Sequence, residues 1–147
     1  MPYLDANGDP VYQGDPPRKK LYYGSYLAGI NAYQGAGSDA VGVTIAPGVA
    51  NWSMSFIYVD LIRSRHAEGA YSPHSAQTIV EGATVHELGH TRAALTHLCE
   101  DPDNHNDSRC IMSANLPKTT CYPGYDVIDN GIRYCDSCKA KLKRVTW

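Results

Sequence analysis

His86-Glu87-Leu88-Gly89-His90-Thr91-Arg92-Ala93-Ala94-Leu95-Thr96-His97 sets two histidines four residues apart and a third seven residues further on. Ile79, Val80 and Ala83 just upstream, with Leu88 inside the stretch, recur with a rough 3.6-residue period, so the spacing predicts a helix. Ser72-Pro73 is the expected start, with serine as cap and proline in the first turn. On a helix His86 and His90 share one face, about 6 Å apart, and both imidazoles can reach one metal ion. Glu87 falls at the edge of that face, where a carboxylate can act on a water without ligating the metal.

A catalytic zinc needs a third protein ligand and an open position. His97 is the nearest candidate. On an unbroken helix it would lie about 16.5 Å beyond His86 and about 10.5 Å beyond His90, too far to share an ion. Convergence therefore requires the helix to end between Thr91 and Thr96 and the chain to turn back. No glycine is available there, so Ala93, Ala94 or a neighbour must make the turn, at about 1 kcal/mol against glycine. Asp101, Asp103 and His105 are fallback ligands.

On the N-terminal side, residues 1–20 are rich in Pro, Gly and Asp and read as an extended arm with one short strand near Val11-Tyr12. Residues 21–34 read equally as helix or strand. Val41–Ala46 and Ser53–Ile62 read as strands, with Arg63–Tyr71 a polar connection. On the C-terminal side a long irregular stretch carries Pro102, Pro117, Pro123 and Gly124 and needs pinning. Cys99, Cys110, Cys121, Cys135 and Cys138 sit where pins would act, and Asp136–Val145 reads as a short basic helix. Clustered cysteines with one C-x-x-C pair fit a metal site, and they point towards a reducing compartment; one or two disulfides among them is the competing reading. Cys121 is expected to be free and packed.

The chain has 147 residues with 43% hydrophobic and 19% charged, and its formal net charge is -2, which fits one globular domain and gives no case for nucleic-acid binding. No run of about 18 apolar residues is present, which argues against a transmembrane helix, and the first five residues do not read as a secretory leader. A cytoplasmic monomer is the expectation, with no membrane or nucleic-acid partner. The cluster Lys139, Lys141, Lys143 and Arg144 reads as a solvated helix face.

The stretch from His86 to His97 resembles the metzincin clan of zinc peptidases, whose pattern is H-E-x-x-H-x-x-G-x-x-H followed by a Met-turn. Here the third histidine comes one residue late and Ala93 stands where the clan has glycine. Cys110-Ile111-Met112 resembles the Met-turn and implies that Met112 forms a hydrophobic floor under the metal. Within the clan the chain is most similar to archaemetzincins. That resemblance implies a second, structural zinc on Cys99, Cys110, Cys135 and Cys138, although Cys99 stands two residues after His97 rather than next to it. Four thiolates in a tetrahedron suit zinc, and a C-x-x-C knuckle supplies two of them.

The resemblance implies a zinc peptidase. His86, His90 and His97 would hold the catalytic zinc. Glu87 would be the general base on a metal-activated water, and peptides or proteins the substrate. A tyrosine near the cleft could steady the oxyanion, with Tyr122, Tyr125 and Tyr134 as candidates, although among 11 tyrosines a structural role for each is the favoured reading. Substrate would lie along the strand Ser53–Ile62 by β-augmentation. The alternative is a zinc-stabilised binding module with a degenerate, inactive site. The expected fold is α/β or α+β over residues 1–147. About 1–92 would form a small twisted mixed sheet on the active-site helix and a backing helix. About 93–147 would form a loop-rich C-terminal subdomain pinned by the structural zinc.

Overall fold

The computed structural model describes residues 3–4, 6–7, 10–11, 18–35, 40–45, 52–119, 121–122, 125–129 and 131–144. The fold is mixed α/β, as expected. A two-residue pair, β1 (Tyr3–Leu4) and β2 (Pro10–Val11), runs antiparallel in the N-terminal arm. The main sheet has three strands, β3 (Arg18–Gly24), β4 (Gly42–Ile45) and β5 (Trp52–Tyr58). Its order is β3-β5-β4, with β5 parallel to β3 and antiparallel to β4. The ambiguous 21–34 stretch divides: β3 takes its start, and α1 (Ala28–Gln34) takes its end and closes on Gly35 in the left-handed region.

Two further readings shift. The strand expected over Ser53–Ile62 stops at Tyr58, and α2 (Val59–Ala67) follows without a loop, over part of the expected connection. A short apolar run does not distinguish strand from helix by periodicity. Here Asp60 decides. Its carboxylate accepts from the Leu61 and Tyr26 backbone N–H groups at 2.8 and 3.0 Å, at the end where negative charge suits the helix dipole. The long helix α3 (Ala76–Ala93) is capped by Ser75 rather than Ser72. The Ser75 hydroxyl accepts from Thr78 N–H at 3.1 Å, while the His74 N–H to Tyr71 carbonyl bond keeps the preceding residues in a turn. The C-terminal helix α4 is Asp136–Leu142.

β5 is central and covered on both sides, as buried strands usually are. Phe56 and Tyr58 pack with Val43 and Ile45 against Tyr22, Tyr26 and Ile30. Ile57 belongs to a larger core that includes Ile79 and Ala83 of α3, Ile62 of α2, and Leu95, Leu98, Ile111, Met112 and Cys138 from the C-terminal part. One continuous apolar cluster thus ties the irregular segment to α3. No helix among the described residues is long and apolar enough to cross a membrane.

Candidate metal centres and cleft

The helix ends where convergence of the histidines requires it to end. Ala94 takes the left-handed conformation, φ 49° and ψ 39°, and is the only non-glycine with positive φ among the described residues. Its N–H donates to the His90 carbonyl at 3.1 Å, and Leu95 N–H donates to Gly89 at 3.2 Å. Such a backbone costs about 1–2 kcal/mol for a residue with a Cβ. Burial of Leu95, 2% exposed, and Leu98, 0%, holds it in place.

The reversal brings His97 back beside α3. The Nε2 atoms of His86, His90 and His97 are separated by 3.1 Å (His86 to His90), 3.1 Å (His90 to His97) and 3.3 Å (His86 to His97). Each ring is oriented through its other nitrogen. His86 Nδ1–H donates to the Ile111 carbonyl at 2.8 Å, His90 Nδ1–H to the Leu95 carbonyl at 2.6 Å, and His97 Nδ1–H to the Glu100 carboxylate at 3.1 Å. With Nδ1 protonated in all three, the converging Nε2 atoms carry lone pairs and no hydrogens. Three lone pairs at such separations repel unless a cation lies among them. Burial pushes the His86 and His90 imidazoles down to about 4, against the pull of their carbonyl partners, so they stay neutral and able to ligate.

Glu87 is 4% exposed, and burial raises its carboxyl above the usual range, opposed by His90 and by a hydrogen bond from Thr44. Its Oε1 lies 4.0 Å from His86 Nε2. Met112 is fully buried, and a Cβ placed on Gly89 would meet its sulfur at 2.6 Å. The methionine therefore packs against the α3 backbone between Glu87 and His90.

The triad and Glu87 line a cleft of about 880 Å³, with Gly42 and Thr44 of β4 and the segment Ser113–Leu116 among its other walls. This corrects the expected substrate edge. β5 is hydrogen-bonded on both sides, so it offers no free edge; β4 is paired on one side only among the described residues and borders the cleft. None of the three candidate tyrosines lines the cleft, and each has a structural contact instead. Tyr134 donates its hydroxyl to the Val85 carbonyl, Tyr122 packs on the core, and Tyr125 is exposed and lies under Arg109. The tyrosine that does line it, Tyr71, carried no signal in the sequence.

A second cluster joins His105, Cys110, Cys135 and Cys138, all buried, with ligand atoms within 4.8 Å of one another. The Cys110 and Cys138 sulfurs lie 3.8 Å apart, and His105 Nδ1 lies 3.6 Å from Cys135 and 3.3 Å from Cys138. His105 Nε2–H donates to the Thr96 carbonyl at 2.9 Å, which leaves Nδ1 free of hydrogen. The thiol of Cys110 is pulled down, first by its contact with the Cys138 sulfur. Cys99 does not belong here. It forms a disulfide with Cys121, which is therefore not free. The reason is placement: the turn after His97 leads Cys99 to Thr119 and Cys121, while His105, on the loop between, reaches the buried sulfurs. The pair His105-x4-Cys110 beside C-x-x-C was the available signal.

The sequence matches no family model and no curated protein, and no solved structure matches the chain. What the site can do is therefore argued from its own geometry: two groups of side chains that could each hold a metal ion, one open to a cleft and one buried.

Proposed function

We propose that this chain is a zinc-dependent peptidase of metzincin type. The observation that carries it is the convergence of three imidazoles with every Nδ1 already committed. About a tetrahedral zinc with Zn–N of about 2.0–2.1 Å, ligand nitrogens stand about 3.3 Å apart. The separations of 3.1–3.3 Å fit that spacing. His86, His90 and His97 would hold the ion, and the cleft leaves its remaining side to solvent and substrate. Bound zinc supplies Lewis acidity, acidifying water and polarising a carbonyl.

The chain's own groups do the rest. Glu87, with Oε1 turned towards the triad, takes a proton from the attacking water and returns it to the leaving amine. Its burial favours the neutral acid and so eases that return. The edge of β4 that is unpaired among the described residues offers backbone donors and acceptors to an extended peptide, which supports peptide bonds as the target. His105, Cys110, Cys135 and Cys138 would hold a second, structural zinc, since three sulfurs and a nitrogen in a buried shell suit that ion.

The test is hydrolysis of a peptide library by the zinc-loaded chain, together with Glu87→Ala. Turnover that vanishes in Glu87→Ala while the metal content stays the same supports the reading. Metal retained with no peptide cleaved by the parent chain would favour a binding module instead.

A further inference from the structure

Three hydroxyls run in a file from α3 through the sheet to Glu87. Thr91 Oγ1 lies 2.7 Å from Ser55 Oγ, and Ser55 Oγ lies 2.8 Å from Thr44 Oγ1. Thr44 Oγ1 in turn lies 2.5 Å from Glu87 Oε2. Ser55 is 0% exposed and Thr91 7%, so no bulk water competes for the inner bond, while Thr44 is half-buried at the cleft wall. Each hydroxyl has one hydrogen. Thr44 donates to the carboxylate, with the Glu87 main-chain carbonyl a second acceptor at 3.3 Å, so Ser55 donates to Thr44 and Thr91 to Ser55. All three dipoles then point the same way, towards Oε2, and each strengthens the next.

The strand backbone completes the grip. Gly42 and Thr44 alternate with the buried Val43 and so face the same side of β4. A Cβ on Gly42 would meet Glu87 Oε1 at 3.0 Å and Cγ at 3.2 Å. The carboxylate is thus wedged between a glycine and a hydroxyl of one strand, while Oε1 is left 4.0 Å from His86 Nε2. A residue held only by its own helix would be free to change rotamer.

We propose that Thr44 is a positioning residue for Glu87, gripping Oε2 through the Ser55–Thr91 relay so that Oε1 stays turned to the three imidazoles. This deepens the peptidase reading and rests on it. Two measurements on the full chain separate them. The first needs no turnover: a double-mutant cycle on urea unfolding of the metal-free protein, with Thr44→Val and Glu87→Ala. Thr44→Val should shift the unfolding equilibrium at least tenfold in the parent and less than threefold in the Glu87→Ala background. Thr91→Val, at the far end of the relay, serves in the same cycle if Thr44→Val does not fold. Equal shifts in both backgrounds would overturn the proposal.

The second is kinetic. In the zinc-loaded chain Thr44→Val should lower kcat at least tenfold with KM and metal content unchanged, and Thr44→Ser should restore most of the loss. Full kcat in Thr44→Val would equally overturn it. Coupling in the cycle by a chain that cleaves no peptide would count against the peptidase reading alone.

Discussion

Gly89 and Met112 meet at a point where no side chain fits: a Cβ on the glycine would stand 2.6 Å from the methionine sulfur, and 3.1 Å from both Leu95 and Tyr134. The glycine between the two helix histidines is therefore a packing requirement of the segment that returns beneath the helix. Gly89→Ala improves helix propensity by up to about 1 kcal/mol but forces Met112 aside. Overpacking of this kind costs about 1–3 kcal/mol, so the net expectation is destabilisation. Urea denaturation checks it, and zinc affinity at the triad should fall in parallel, because the Ile111 carbonyl that orients His86 is next to Met112.

Ala94 carries the reversal in a conformation that suits glycine. Ala94→Gly removes about 1–2 kcal/mol of backbone strain and adds about 0.4–1 kcal/mol of unfolded-state entropy. The variant should be equal to or slightly more stable than the parent, by up to about 1 kcal/mol. Ala94→Val, β-branched at positive φ, should lose well over 1 kcal/mol. Matched denaturation curves decide; a stabilising valine would contradict the geometry.

The two clusters are wired together. His105 donates to the carbonyl of Thr96, the residue before His97, and the Ile111 carbonyl that receives His86 follows Cys110 directly. Cys135→Ser should therefore do more than lower the bound metal by one ion. Affinity at the triad should drop about tenfold, within the range seen when groups orienting a ligand are lost. Cobalt titration distinguishes the sites, since only the buried one gives sulfur-to-metal charge transfer.

Neither Cys99 nor Cys121 belongs to either cluster's ligand set. Cys121→Ser should leave metal stoichiometry unchanged, while removal of a cross-link spanning 22 residues costs about 3 kcal/mol. Loss of a metal ion in Cys99→Ser but not in Cys121→Ser would reinstate Cys99 as a ligand.

Much of this centre was legible beforehand. His86, Glu87 and His90 follow from helical spacing, and the same arithmetic demanded a reversal before His97, which falls on Ala94. Those are local geometry: a rise of about 1.5 Å per residue fixes what can and cannot meet. The strand at 42–45 and the basic C-terminal helix were legible for the same reason. The start of α3 was not, because Ser72 and Ser75 both offer a cap and the turn between them made the choice.

What the chain alone determined is the inventory: three imidazoles able to share an ion, a carboxylate beside them, and more sulfur than one site needs. Only the packed fold decided the pairings. It joined Cys99 to Cys121, sent His105 to the buried sulfurs, placed β4 rather than β5 at the cleft, and brought Thr44 onto Glu87 across 43 residues. Contacts between segments so far apart depend on which apolar faces bury together, and spacing within one segment carries no record of that.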